Sequence, residues 1–313
     1  MTKSVEELRA HYTSEFEPAL ADIRQARETA QMKARVLFLI LCPVLGIVFS
    51  LLKNSLFLIL AAFVCSAVIV LIYYQVCRRK QTLYFKDVVL RKVLAFVAPE
   101  MDYDREKYIP LKQFKRSGIY TGSVDRYRGE DYFFGKYEGV DLVFSEVHAE
   151  EKHTTTDSKG NRESHYDTIF KGVFFIADFN KDFRTSTYVI PGRAGILGRL
   201  LGAGAGRGKV ITLESPEFAR MFTVYAQDAI EARYILTPNI MERMIAIQRR
   251  FPGKVAFAFH DSSVYIAIPS KTDFFEIPRT LDFSGVSALY AEFALFFDLV
   301  HELNLTLRIW TKA

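Results

Sequence analysis

The chain has 313 residues, half of them apolar and a quarter charged. That composition excludes a disordered or low-complexity protein, and the slightly positive mean hydropathy points to a part of the chain that lies in lipid. The formal net charge is +5, but residues 1–80 hold ten Lys and Arg against six Asp and Glu, while the remainder holds 31 against 30. The excess therefore flanks the apolar runs, and the rest of the chain has no overall basic balance of the kind that nucleic acid requires.

Ser4-Val5-Glu6-Glu7 has the form of a capping box and predicts a helix start. Pro18 is expected to end or restart that helix, since an interior proline costs about 3 kcal/mol. Leu20, Ile23, Arg27 and Ala30 recur at helical spacing. Residues 18–35 therefore predict a helix running into the membrane, either contacting a partner or packed on the chain's own domain.

Two runs without a charged residue follow, 17 residues at 36–52 and 22 at 56–77. A membrane span needs about 20 apolar residues and tolerates about 17. The connector Lys53-Asn54-Ser55 is so short that the two form an antiparallel hairpin. Pro43 and Gly46 in the first run are tolerated in lipid-embedded helices, and Tyr73-Tyr74 suit an interfacial belt in the second. Arg24, Arg27, Lys33 and Arg35 precede the hairpin and Arg78, Arg79, Lys80 and Lys86 follow it, with Lys53 alone in the turn. By the positive-inside rule both termini are expected in the cytoplasm, and a hairpin dipping into one leaflet gives the same side. The position of the first run and the lack of a small-residue cleavage site after it argue against a signal peptide. Cys42, Cys65 and Cys77 all fall in or beside the runs, which leaves no disulfide or cysteine-based zinc site elsewhere.

Residues 83–97 predict a continuing helix stopped by Pro99. From Tyr120 the pattern becomes short aromatic-rich strands, clearest at 140–148 and 168–179. The second of these is apolar on both faces and is expected in the middle of a sheet. The polar stretch between them, with its tip at Lys159-Gly160-Asn161, is expected as a mobile loop. Ser215-Pro216-Glu217 and Thr237-Pro238 are helix starts, the second before 239–250. Residues 254–269 read as a hairpin turning at Asp261-Ser262-Ser263. Leu289, Phe293, Phe296, Val300 and Leu303 form the apolar stripe of a helix laid on a sheet, with Glu292, His301 and Glu302 off it. The fold class expected is α+β: an N-terminal helical segment (1–35), a transmembrane helical hairpin (36–77) and a cytoplasmic domain (78–313) with a mostly antiparallel sheet packed by helices.

Chemical motifs are incomplete. The glycine-rich segment 192–209 superficially resembles a phosphate-binding loop, but Ala203 and Val210 stand where Gly and Ser or Thr are needed. A flexible loop is the plainer reading. A sharper one sets Arg193, Arg199, Arg207 and Lys209 among leucines as a surface resting on anionic lipid, at about 1 kcal/mol per basic residue. His148, His153 and His165 with Glu150 and Glu151 offer metal-ligand chemistry in no recognised spacing, so they read as solvated loop residues. His301-Glu302 begins like a zincin motif, but Leu305 takes the second histidine's place. Asp228 and Glu231 share a helix face, and salt bridging, with Arg233 or Arg243 as partner, fits them better than acid–base work. No catalytic residue, metal or cofactor is assigned.

Phe218, Phe222-Thr-Val-Tyr225, Asp228, Glu231-Ala-Arg-Tyr-Ile-Leu-Thr-Pro238 and Met241-Glu242-Arg243 resemble the signature of a bacterial family known only as domain of unknown function family 3137. Phe170-Lys171-Gly172-Val-Phe-Phe175, Ala177-Asp178-Phe179, Gly129-Glu130-Asp131-Tyr132 and Phe144-Ser145-Glu146 fit the same pattern, so the likeness covers most of 80–270. The resemblance implies two membrane spans before a cytoplasmic domain and an association with LemA-type membrane proteins. It implies no activity and no catalytic residues.

In the signature, the proline-bearing helix starts and the Phe and Tyr between them read as fold, which leaves Asp228, Glu231 and Arg233 as candidate surface for a partner. The function expected is a non-enzymatic inner-membrane protein, in contact with lipid, whose cytoplasmic domain assembles with copies of itself or with another membrane protein. The alternative is a ligand-responsive or hydrolytic domain acting on a lipid or nucleotide at the membrane face, where aromatic side chains could line a pocket.

Overall fold

The computed structural model describes residues 4–52, 56–156, 162–179, 183–192, 206–251, 253–303 and 305. They divide into two compact bodies, one of residues 1–97 and 275–291 and one of 98–274 and 292–313.

The first body is helical. Helix α1 (Val5–His11) opens on the expected capping box: the Glu7 amide donates to Ser4 Oγ at 3.2 Å and the Ser4 amide donates to Glu7 Oε2 at 2.7 Å. A widened turn, Tyr12–Phe16, leads into α2 (Glu17–Leu52). The widening falls directly before Pro18, where a regular helix would meet the proline ring. Helix α3 (Leu56–Tyr84) passes through a second wide turn, Phe85–Leu90, into α4 (Arg91–Val97). Leu20, Ile23, Phe85, Val89, Leu90 and Val93 are almost fully buried, and Phe16 meets Phe96 edge-on at 6.5 Å. The buried Lys86 pairs with Glu276 at 2.8 Å, and Tyr12 meets Phe283 edge-on at 5.5 Å, which fixes the 275–291 segment in this body.

At 36 and 29 residues, α2 and α3 are about 54 and 44 Å long. Both are long and apolar enough to cross a membrane. Their middles turn Leu39, Ile40, Ile47, Leu60, Val64 and Ile72 outward, a cost in water that lipid removes. Length and composition would admit a third such helix, α9 (Phe283–Glu302). Its stripe of Leu289, Phe293, Phe296 and Val300 is no more than 3% exposed, however, so its apolar side chains are core.

The second body is built on a sheet of nine described strands, paired antiparallel throughout: β1 (Met101–Asp104), β2 (Arg126–Tyr137), β3 (Val140–Thr156), β4 (Arg162–Asp178), β5 (Thr187–Pro191), β6 (Lys209–Ile211), β7 (Phe222–Ala226), β8 (Ala256–His260) and β9 (Ser263–Pro269). Their order in space is β1-β2-β3-β4-β9-β8-β5-β7-β6. The two tight hairpins turn on residues with positive φ, Glu138-Gly139 and Asp261-Ser262, as two-residue turns between twisted strands require. Helices α5 (Leu111–Arg116), α6 (Pro216–Met221), α7 (Ala229–Ile235), α8 (Pro238–Arg250) and the end of α9 complete it. Ser215 caps α6 through the Phe218 amide, and Thr237 caps α8 through the Ile240 amide.

The central strand β4 is apolar on both faces, as its sequence predicts. Phe174 packs with Phe114, Ile109 and Phe170 on one face, while Phe175 stacks over Phe144 on the other, at 5.8 Å. Phe144 in turn stacks on Phe296 of α9 at 5.6 Å. The polar stretch between the two expected strands departs from the sequence reading. It is not a loop up to its tip, because β3 and β4 each run to 17 residues and pair as far as Thr156 and Arg162. Threonines and alternating polar side chains suit a strand that has solvent on both faces. Lys159-Gly160-Asn161 lies outside the described residues.

Candidate functional site

The residues expected at a partner surface come together on α7, where all three serve local structure. Asp228 is the helix N-cap and accepts the Ile230 and Glu231 amides at 2.7 and 3.3 Å. Glu231 accepts the backbone amides of Arg184 and Thr185 at 2.7 and 2.8 Å and the Thr185 hydroxyl as well. Arg233 reaches the Ala229 and Thr212 carbonyls at 3.4 Å and lies 4.0 Å from Glu214. What α7 offers to solvent beside them is apolar: Ile230 is 79% and Tyr234 47% exposed. The aromatic residues of this region are otherwise core-like, as expected, with Phe218, Phe222 and Tyr225 buried.

Of the residues expected on a lipid-facing loop, Arg193 and Arg199 lie outside the described residues. Arg207 is half-buried and points into the domain, where its guanidinium donates to the Gly118 carbonyl at 2.9 Å and to that of Ile119. Its charge also lies 5.9 Å from the centre of the Tyr188 ring. Lys209 opens β6 and is exposed.

A polar cleft of about 230 Å³ opens where β2, β3 and β4 run side by side, and Arg128, Gly129, Glu146, His148, Lys171 and Asp273 line it. Register explains the grouping. Arg128, His148 and Lys171 stand opposite one another on the three strands, and Gly129, Val147 and Gly172 form the next row. A Cβ at Gly129 would meet the Glu146 carbonyl oxygen and the Tyr108 side chain, and one at Gly172 the Ile268 carbonyl oxygen, so the backbone beside the cleft packs closely. Glu146 is 9% exposed and accepts the Phe274 amide. Burial pushes its carboxyl up to about 8, reinforced by Asp131, Asp273 and Glu130 and opposed by the Phe274 amide. A carboxyl of that kind holds a proton near neutral pH and can donate it in a hydrogen bond.

Around it, Lys171 pairs with Asp273 at 2.9 Å. His148 contacts the Arg128 guanidinium through Nδ1 at 2.8 Å and Thr168 Oγ1 through Nε2 at 2.9 Å. Burial, then Arg128, lowers the His148 pKa below the usual histidine value. The cleft thus sets a protonatable acid beside two cations and a neutral imidazole, a lining suited to a small ligand that carries hydrogen-bond acceptors. Sequence reading picked out His148 and missed the role of Glu146. The legible signal was a carboxylate set between the apolar Leu142-Val143-Phe144 and Val147.

Beyond the cleft, β3 and β4 continue as a two-stranded arm. Strand β2 accompanies β3 only to Glu150, and β9 accompanies β4 only from Gly172. From 162 to 170 the outer edge of β4 has no strand beside it among the described residues. The root of the arm is pinned by Arg126, whose guanidinium sits 3.4 Å above the Tyr166 ring, and by the Lys152 amide, which donates to Asp125 at 2.8 Å.

Searches of curated proteins and of solved structures returned no match. Residues 168–305 match the family described as protein of unknown function, DUF3137. The match begins within β4 and ends after α9, so it takes in both helix starts, the β8–β9 hairpin and the signature run around α7, and stops short of β2, β3 and the membrane-length helices. Over residues 168–305 the chain is thus similar to the DUF3137 family.

Proposed function

We propose that this is a non-enzymatic protein of the bacterial inner membrane, anchored by α2 and α3 with both termini in the cytoplasm, whose sheet domain binds a second copy or another membrane protein. The observation that carries the reading is the β3–β4 arm. Among the described residues, an edge of nine at 162–170 has no strand beside it and offers backbone groups to a strand from another chain, which is how β-augmentation works. Two-stranded ribbons are marginal alone in water, so a partner strand has something to stabilise. Arg162, Glu163, His165 and Asp167 keep such an edge soluble until it is met. The exposed Ile230 and Tyr234 add a small apolar contact on the same domain. Orientation is supported by the basic residues on both sides of the helical pair. A LemA-type protein enters as a partner only through the family resemblance.

A photo-crosslinking residue at Glu163 or Tyr166 in full-length protein in its native membrane tests the proposal. Capture of one discrete protein mass, a dimer included, is expected there and not from the exposed Lys112 on α5. The same uncrosslinked monomer from all three positions sinks it.

A second reading, a ligand-responsive domain acting at the membrane face, is favoured by one observation, the raised Glu146 carboxyl in the cleft. It requires a small anion or metabolite to raise the melting temperature saturably in wild type and not in Glu146→Gln.

A further inference from the structure

We infer that the arm binds a divalent transition-metal ion of the zinc class through His153, His165 and Asp167, with Glu151 completing the set. The four residues form two directly opposed cross-strand pairs, Glu151 opposite Asp167 and His153 opposite His165. Positions two apart on a strand share a face, so all four side chains stand on the same side of the ribbon.

Two of the distances suit ligands around an ion, although the ligand atoms of the set do not all lie within 4.8 Å of one another before an ion is bound. His153 Nε2 and His165 Nε2 lie 3.5 and 3.6 Å from a single oxygen, Asp167 Oδ2. Both exceed the roughly 2.7–3.2 Å of N–H···O hydrogen bonds. They match the edge of a tetrahedron of ligands, about 3.3–3.5 Å when each bond to zinc is about 2.0–2.2 Å. The two imidazoles stack at 5.6 Å with 28° between their planes, and binding one ion requires the exposed side chains to turn so that both nitrogens approach it. Glu151 Oε2 lies 3.8 Å from His153 Nε2, while Oε1 of the same carboxylate accepts the Ser123 hydroxyl. An outer partner of that kind orients a ligating carboxylate.

Charge points the same way. Like charges placed directly opposite one another weaken a strand pair, and Glu151 faces Asp167. A dication between them turns that repulsion into attraction. Two imidazoles with carboxylates select zinc, cobalt, nickel or copper over magnesium or calcium, whose ligands are oxygens. Metal uptake does not depend on the assembly reading, because it is measured without any partner.

The test uses full-length protein in mild detergent, without a histidine tag, titrated with Co²⁺ and then Zn²⁺. One Co²⁺ per chain is expected, with the visible absorption of a tetrahedral site and displacement by Zn²⁺. His153→Ala and His165→Ala should each weaken binding by about tenfold or more, and Asp167→Asn should weaken it less. These side chains are exposed, so the variants should keep wild-type hydrogen exchange across Val173–Asp178, which shows that the sheet is intact. Equal uptake by wild type and the His153→Ala/His165→Ala double variant overturns the inference, as does the lack of any saturable uptake by wild type.

Discussion

The carboxylate of Glu231 accepts the backbone amide of Arg184 at 2.7 Å across 47 positions of the chain. The same carboxylate takes the Thr185 amide at 2.8 Å, so one side chain on α7 fixes the approach to β5. Glu231→Ala removes the acceptor from the exposed Arg184 amide and from the partly buried Thr185 amide. It should destabilise the domain by about 1–3 kcal/mol in urea unfolding. Glu231→Gln, which keeps one carbonyl acceptor, should cost less. If Glu231→Ala unfolds at the wild-type midpoint but fails to assemble, the residue belongs to a partner surface after all.

Those contacts mark where sequence reading reached its limit. Helix starts were legible at Ser4, Ser215 and Thr237 because a cap is local chemistry, and the stripe on α9 was legible because its period is set by the helix itself. The two-faced apolarity of β4 likewise announced a central strand. Glu231 looked like free surface because its partners lie 46 and 47 residues away, and no periodicity encodes a contact of that range. Residues 149–156 and 162–167 read as loop because, past Ala149, the arm has no buried face. Strand patterning is legible mainly as alternation between core and solvent, and here both faces are wet. The cleft was invisible for a related reason, since Arg128, His148 and Lys171 meet only through the register of three strands.

Gly172 occupies the seam where β4 meets β9. Its φ is +148°, and an added Cβ would stand 2.1 Å from the Ile268 carbonyl oxygen and 2.7 Å from the Ser270 amide nitrogen. Gly172→Ala should therefore cost about 1–3 kcal/mol from backbone strain alone, with the clash adding to it. Because β4 pairs with β9 from Gly172 to Asp178, the loss should appear as faster hydrogen exchange on both strands. Exchange should change little at Phe222–Ala226, further along the sheet. Protection at wild-type level along β4 and β9 would show that the seam yields without strain.

Arg207 separates a structural role from a lipid-binding one. Its guanidinium holds the Gly118 and Ile119 carbonyls, and a planar fork of donors does this where an ammonium cannot. Arg207→Lys keeps the charge and should still lower stability, by about 1–2 kcal/mol, with little gain over Arg207→Met. Binding of the full chain's loop to anionic lipid predicts the opposite order: Lys would preserve recovery with anionic nanodiscs and Met would reduce it. A Lys variant as stable as wild type would count against the carbonyl clamp.

Glu146 gives the domain a dependence on pH whose sign is fixed by its environment. Its folded-state carboxyl titrates at about 8, while an exposed glutamate titrates near 4.3. Between those values the folded state holds a proton that the unfolded chain has released, so stability must fall as pH rises. The contribution is fully present below the unfolded value and is lost as pH passes through the folded one. Glu146→Gln keeps an uncharged side chain of similar size with a carbonyl for the Phe274 amide. The variant should remove the slope between about pH 5 and 8. At pH 8.5 it should be more stable than wild type by at least about 1.4 kcal/mol, roughly a tenfold change in the folding equilibrium. Urea midpoints for both proteins at pH 5.5, 7 and 8.5 provide the measurement. Parallel curves would mean that Glu146 is ionised in the folded protein at neutral pH, and the cleft would then present an anion where a hydrogen-bond donor is expected.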